Sequence, residues 1–313
     1  MKPPPIVIAH RGASGYLPEH TLAAKALAHG LGADYLEQDV VATRDAQLVV
    51  LHDLYLDDVS DVAVKFPGRQ RKDGRHYVID FDLAEIKTLT IFERRGPGVA
   101  TAKYPARFPV DTGLFGIATL KEELELIRGL NRSTGRVVGI YPEIKDPQWH
   151  RRHGVDLSTL VLAELRAFGY SRASDAAFVQ CFDAGELARL KRELACELRL
   201  IQLVGPEAEY DALLTEGGLR SVSEHADGLG PHYSQLIDAG EGRGPRPSAF
   251  ARRARDAGLQ VHAYTFRRDD LPAYAPTLED LLELFYVEVG VDGVFSDYPD
   301  VAARVRIWTH KVQ

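Results

Sequence analysis

Cysteine is scarce: Cys181 and Cys196 are the only two in 313 residues. Two cysteines build neither a disulfide framework nor a cysteine-rich zinc site. No apolar run reaches the roughly 18 residues of a membrane-spanning helix. Positive charge is also in deficit, with Lys plus Arg at 38 against Asp plus Glu at 45, a formal net charge of −7. That balance speaks against general binding to nucleic acid or to an anionic membrane, though not against an anionic small molecule held at one basic spot. Internal repeats and low-complexity tracts are absent. The start, Met1-Lys2-Pro3-Pro4-Pro5 before Ile6-Val7-Ile8-Ala9, is too short and wrongly flanked for a signal peptide. The expectation is periplasmic residence if a leader has been removed, and cytoplasmic residence otherwise.

What is present is an ordinary soluble balance, 45% hydrophobic and 27% charged. Short β-branched runs read as strands at 6–10, 35–41, 48–52, 137–143, 177–182, 198–204, 227–231, 261–266 and 293–296. Amphipathic stretches at 119–130, 157–168, 184–194, 249–257 and 278–289 read as helices. Repeated βα units of this length predict an α/β fold, a (βα)8 barrel. The run at 48–52 is the surplus strand. Only six residues separate it from Val41, too few for a crossover helix, so it returns as an antiparallel hairpin. A turn centred on Asp45-Ala46 predicts Asp39 opposite His52.

From about 54 to 118 the periodicity weakens and turns accumulate, as in Phe66-Pro67-Gly68-Arg69, Lys72-Asp73-Gly74 and Arg95-Gly96-Pro97-Gly98. One short helix is expected at 83–89. The stretch reads as an insertion capping the barrel mouth, within a single domain spanning 1–313.

Chemistry gathers at strand ends. Glu37 and Asp39 share a face at i and i+2, and Glu143 ends another strand. Three carboxylates on one rim repel unless a cation joins them, and their hard oxygens suit Mg²⁺ or Ca²⁺ rather than zinc. His10 and His52 end strands beside this cluster. Imidazoles with an ordinary pKa near 6.5 suit base and acid in a displacement at phosphorus. Arg11, followed by Gly12-Ala13-Ser14-Gly15, offers a fork for phosphate oxygens. Lys145 shares the inward face of Glu143 and is a second phosphate contact, a role compatible with a salt bridge to Glu37 or Asp39. Gln180, Tyr264 and Asp297 stand at strand ends as candidate substrate contacts. His29, His76, His150, His153 and His310 read as surface or local hydrogen-bonding residues, and His232 as a candidate for lining the pocket.

These residues fall in blocks with a recognisable pattern. His10-Arg11-Gly12-Ala13-Ser14-Gly15-Tyr16-Leu17-Pro18-Glu19-His20-Thr21 resembles the signature of glycerophosphodiester phosphodiesterases. So do Glu37-Gln38-Asp39, Val49-Val50-Leu51-His52-Asp53, Tyr141-Pro142-Glu143-Ile144-Lys145 and Phe295-Ser296-Asp297-Tyr298-Pro299. The five blocks come in order from end to end and look most like the bacterial periplasmic branch. The resemblance implies a metal-dependent barrel hydrolase releasing glycerol 3-phosphate and an alcohol. It implies His10 and His52 as acid and base, Glu37, Asp39 and Glu143 around a cation, usually calcium, and Arg11 and Lys145 on the phosphate. Cys181 and Tyr264 depart from it, where a small hydroxyl residue and Trp are common.

Two rivals follow. A phospholipase-type phosphodiesterase acting on intact lipids predicts an exposed apolar lip. A catalytically inactive barrel used for binding predicts loss of a histidine or a metal carboxylate, and all five are present. The expected partner is a small-molecule glycerophosphodiester, with no nucleic acid and no membrane insertion. The two cysteines fall at opposite ends of neighbouring strands, roughly 15 Å apart at ~3.3 Å per residue, so both are expected to be free.

Overall fold

The structure, a computed structural model, describes residues 3–96, 99–110, 112–238 and 244–312. The Pro97-Gly98 half of the third expected turn lies outside the described residues. Nine strands form the main sheet: β1 (Ile6–Ala9), β2 (Tyr35–Ala42), β3 (Leu48–Val50), β4 (Gly139–Ile144), β5 (Phe178–Cys181), β6 (Arg199–Val204), β7 (Gly228–Pro231), β8 (Gln260–Phe266) and β9 (Gly293–Ser296). All pairings are parallel except β2 with β3, and β1 pairs with both β9 and β2, which closes the sheet. Setting β3 aside leaves a closed eight-stranded parallel barrel, the (βα)8 TIM barrel.

A helix follows each barrel strand: α1 (Leu22–Gly30), α2 (Leu120–Thr134), α3 (Leu157–Ala167), α4 (Ala184–Arg192), α5 (Glu216–Ser223), α6 (Ala249–Asp256), α7 (Leu278–Glu283) and α8 (Pro299–Val312). The start of α2 shows why the chain turns helical there. Thr119 accepts from the Glu122 N–H at 3.1 Å, and Glu122 accepts from the Thr119 N–H at 2.8 Å, closing a capping box. Gly135, left-handed at φ 71°, ends that helix.

Strand alternation divides the core in two. Val7, Leu36, Val40, Ile140, Val179 and Leu200 face the helices in the larger apolar cluster. Ile8, Tyr141, Phe178, Ile201 and Phe295 face inward and fill the barrel. One step further along the same inward face come the polar residues of the mouth.

The hairpin register differs from expectation. Val40 pairs with Val50 and Ala42 with Leu48, so Asp39 stands opposite Leu51 rather than His52. The turn is the reason. Thr43 pairs with Gln47 through a 3.0 Å hydrogen bond, and the intervening loop has three residues, with Ala46 left-handed at φ 56°. A three-residue loop with a left-handed last residue shifts the pairing by one relative to a two-residue turn.

Residues 54–118 carry a separate apolar cluster, with Leu56, Val59, Val62, Phe81, Ile86 and Ile91 buried against Val41, Val49 and Leu51 of the hairpin. The helix expected at 83–89 is a single turn, Leu83–Ile86. Both cysteines are free and buried.

Candidate active site

The carboxylates are placed by register. Asp39 of β2 pairs with Glu143 of β4, and Glu143 pairs with Gln180 of β5, so the three stand in one row across adjacent strands. Glu37 lies one inward step below Asp39. His10 follows β1, whose Ala9 pairs with Leu36, and so comes level with Glu37. His10, Arg11, Glu37, Asp39, His52, Glu143 and Gln180 line one cavity, walled on its far side by Phe182, Leu203, His232, Tyr264 and Phe295.

The loop after β1 is tightly fixed. Arg11 is left-handed at φ 57°, and its N–H donates to Glu37 Oε2 at 2.5 Å. Gly12 follows at φ 90°, where an added Cβ would meet the Ala24 backbone at 2.9 Å. The Arg11 guanidinium donates to both oxygens of Glu19 at 3.0 Å, while its buried Nε, 3.6 Å from Asp39 Oδ2, makes no hydrogen bond.

Each histidine has a carboxylate on Nδ1: Asp297 at 2.6 Å for His10, and Asp53 at 2.7 Å for His52. Burial lowers both imidazoles to about 4, with Arg11 pushing the same way, joined at His52 by Lys145. Asp297 is thereby placed outside the main cavity. It sits beneath His10, where Arg267 and Arg107 also claim its Oδ2 at 3.0 and 2.7 Å. Those cations and His10 hold its carboxyl well below the usual range despite burial.

The acidic row is crowded. Burial raises Glu37, and Asp39 and Glu143 add to the rise. Glu143 is pushed up to about 8 by burial against the opposing pull of Lys145. Asp39 stays ionised: burial opposes it, but Lys145, His52 and His20 hold it low. Lys145 lies 2.8 Å from Glu143 and 3.7 Å from Asp39, a salt bridge within the row, and is not among the residues lining the main cavity.

One ligand atom each of His20, Glu37 and Asp39 lies within 4.8 Å of the others, a group able to hold a metal ion. The set drawn from the sequence had Glu143 in place of His20. Asp39 Oδ1 is buried without a hydrogen-bond partner, as a ligand oxygen awaiting a cation would be. The oxygen donors fit a hard divalent ion.

Several neighbours escaped the sequence reading. Glu19, His20 and Asp53 lie inside the quoted blocks, where adjacency to a histidine or arginine was the available signal. Arg94 and Arg107 of the insertion carried none. Arg94 bridges Glu19 and Asp53 at 2.7 and 2.6 Å, and Arg107 bridges Asp269 and Asp297 at 2.6 and 2.7 Å. Among the remaining histidines, His29 bonds Asn131, His76 bonds Asp57, and His150 accepts from the Ala42 N–H.

Fold and site together define a TIM-barrel enzyme with a carboxylate row and two carboxylate-backed histidines at the strands' C-terminal mouth. The sequence model of the glycerophosphoryl diester phosphodiesterase family matches residues 10–301, and the chain belongs to that family. The glycerophosphodiester phosphodiesterase of Haemophilus influenzae is 41% identical across 97% of this chain and 90% of its own length. That of Treponema pallidum is 39% identical across 96% and 91%. A crystal structure from Silicibacter pomeroyi matches with a TM-score of 0.74 at 25% identity, covering 98% of this chain and 94% of its own. A phosphodiesterase from Oleispira antarctica, solved with the product sn-glycerol-3-phosphate, matches with a TM-score of 0.65 at 24% identity over 96% of each chain.

Proposed function

We propose that this chain hydrolyses glycerophosphodiesters to glycerol 3-phosphate and an alcohol with a divalent cation, Ca²⁺ foremost, and that the insertion caps the mouth. The observation that carries the reading is the pair of carboxylate-backed histidines beside the acidic row. A carboxylate only accepts, so Nδ1 of His10 and of His52 keeps its hydrogen and Nε2 is the nitrogen left to exchange a proton. With both imidazoles lowered to about 4, both are neutral at pH 7 in the free protein. An anionic phosphodiester between them raises both, so that one carries a proton as acid while the other stays neutral as base.

The P–O bond to the headgroup breaks as a P–O bond to the nucleophile forms. The nucleophile is water, or the glycerol 2-hydroxyl giving a cyclic phosphate that water then opens. One imidazole takes the nucleophile's proton and the other protonates the departing alkoxide. The Arg11 guanidinium orients the non-bridging oxygens, and the Lys145 ammonium, salt-bridged to Glu143, adds positive charge beside them. Glu37, Asp39 and Glu143 would hold the cation, which supplies positive charge for the phosphate oxygens and for an ionising hydroxyl. His20, with both ring nitrogens already bonded, orients Asp39 instead of ligating.

The test is turnover of glycerophosphocholine, glycerophosphoethanolamine, glycerophosphoglycerol and intact phospholipid, with and without divalent metal. Release of glycerol 3-phosphate from the water-soluble diesters, lost on chelation, is expected. Cleavage of phospholipid alone would overturn the reading.

A further inference from the structure

A phosphodiester has two arms, and the main cavity accounts for one. A second, smaller cavity lies on the other side of His10 and Arg11, which line both. Its floor is the loop after β1, through Ser14 and Glu19, and its opposite wall is the insertion, through Glu93, Lys103 and Tyr104. Most charges around it are already matched, since Arg94 is taken by Glu19 and Asp53, and Arg107 and Arg267 by Asp297.

Glu93 is buried and left unmatched. It is 3% exposed, lines this cavity, and its Oε2 has no hydrogen-bond partner. A buried polar atom left unmatched costs about 1–3 kcal/mol, which a ligand group can recover. Lys103, at the rim, has no carboxylate partner among the described residues.

We infer that this cavity is the subsite for the departing alcohol, and that Glu93 recognises a polyhydroxylated headgroup, of the glycerol or inositol type, by hydrogen bonding. The inference rests on the proposed phosphodiesterase reading. Burial pushes Glu93 up to about 8, so at neutral pH its carboxyl is largely protonated and both donates to and accepts from hydroxyls. A trimethylammonium headgroup offers no hydroxyl to this acid and meets Lys103 and the surrounding arginines. A second groove, lined by Trp149, Phe182, Tyr210 and Asp183, has the aromatic and acidic character that suits a cation instead, but among the described residues it holds no comparably buried, unmatched side chain.

The experiment compares kcat/KM for glycerophosphoglycerol and glycerophosphocholine in the wild type, Glu93→Leu, the isosteric Glu93→Gln, and Tyr210→Ala. The wild type is expected to favour the polyol diester. Glu93→Leu is expected to reduce the polyol-to-choline ratio at least tenfold, since a site built to hydrogen-bond a hydroxyl loses selectivity with its partner. Glu93→Gln, which still donates and accepts, is expected to retain most of the ratio, and it answers the question if the leucine variant does not fold. A ratio unchanged in both Glu93 variants, or one governed by Tyr210→Ala instead, overturns the inference. Absence of turnover on either diester in the wild type is a separate result, and it overturns the phosphodiesterase reading beneath it.

Discussion

The Lys25 ammonium lies 3.3 Å from Nδ1 of His20, deep beneath the acidic row. An ammonium can only donate, so Nδ1 of His20 accepts, and Nε2 carries the hydrogen that reaches Asp39 Oδ2 at 2.8 Å. Glu123 holds Lys25 from the other side at 3.0 Å, and Lys25 also donates to the Glu37 carbonyl. A chain of buried groups thus fixes which way Asp39 faces.

Removing that chain should therefore loosen the cation site. Lys25→Met alone would strand Glu123 as an unpaired buried acid, so the variant of choice is Lys25→Met with Glu123→Leu. Its divalent-cation affinity by calorimetry should fall about 10–100-fold, the usual effect of losing a group that orients a ligand. Unchanged affinity in a folded double variant would show that Asp39 needs no such support.

The histidines and their partners should separate in kinetics. His10→Ala and His52→Ala are each expected to lower kcat by about 10²–10⁴-fold with a native circular dichroism spectrum. Asp53→Asn should also lower kcat, because an amide can donate to Nδ1 and turn the imidazole to the wrong tautomer. Near wild-type turnover in any of the three would remove that residue from the proton-transfer scheme.

Cation binding should appear as stability. Glu37, Asp39 and Glu143 repel one another at the mouth, and burial with that repulsion raises Glu37 and Glu143. Adding Ca²⁺ or Mg²⁺ to chelator-treated protein should raise Tm as well as restore activity. Asp39→Asn should abolish both responses; a Tm indifferent to the ion in wild-type protein would argue against a site here.

Acid should destabilise the fold through a histidine remote from the cation. His262 is buried inside the barrel 2.8 Å from the Tyr141 hydroxyl, and burial lowers its pKa to about 4. The unfolded chain, with an ordinary pKa near 6.5, takes a proton that the folded chain refuses between those values. Stability is therefore full above pH 6.5 and falls as the pH drops toward 4, by about 3 kcal/mol for this group at 1.36 kcal/mol per unit. His10, His20 and His52 act in the same direction. The pH slope of unfolding free energy should lose close to one proton in His262→Gln, and an identical slope would contradict the assignment.

Thiol chemistry should follow burial. Cys181 Sγ donates to the Ile144 carbonyl at 3.3 Å, and burial raises both thiols. Titration of the denatured, unreduced protein should count two thiols, and the native protein should react slowly. A count of zero in a monomer would mean a disulfide and a different strand arrangement.

Much of this protein is written in local pattern. Short β-branched runs mark the strands, the Thr119–Glu122 spacing marks the start of α2, and residues two apart on a strand, such as Glu37 and Asp39, share a face whichever strands lie beside them. The short link between β2 and β3 fixes an antiparallel return because no crossover fits in it. Other features depend on contacts between distant segments. The hairpin register turned on the left-handed backbone of Ala46, which shifted Asp39 from His52 to Leu51. The partnership of His10 with Asp297 spans 287 positions and exists because β1 and β9 are neighbours in a closed barrel. Arg94 and Arg107 reach the mouth from an insertion with no periodicity to announce where it folds. A side chain's type and strand phase are local properties and can be read directly. Which carboxylate backs which histidine, and which buried acid is left without a partner, is decided only when barrel closure brings the ends of the chain together.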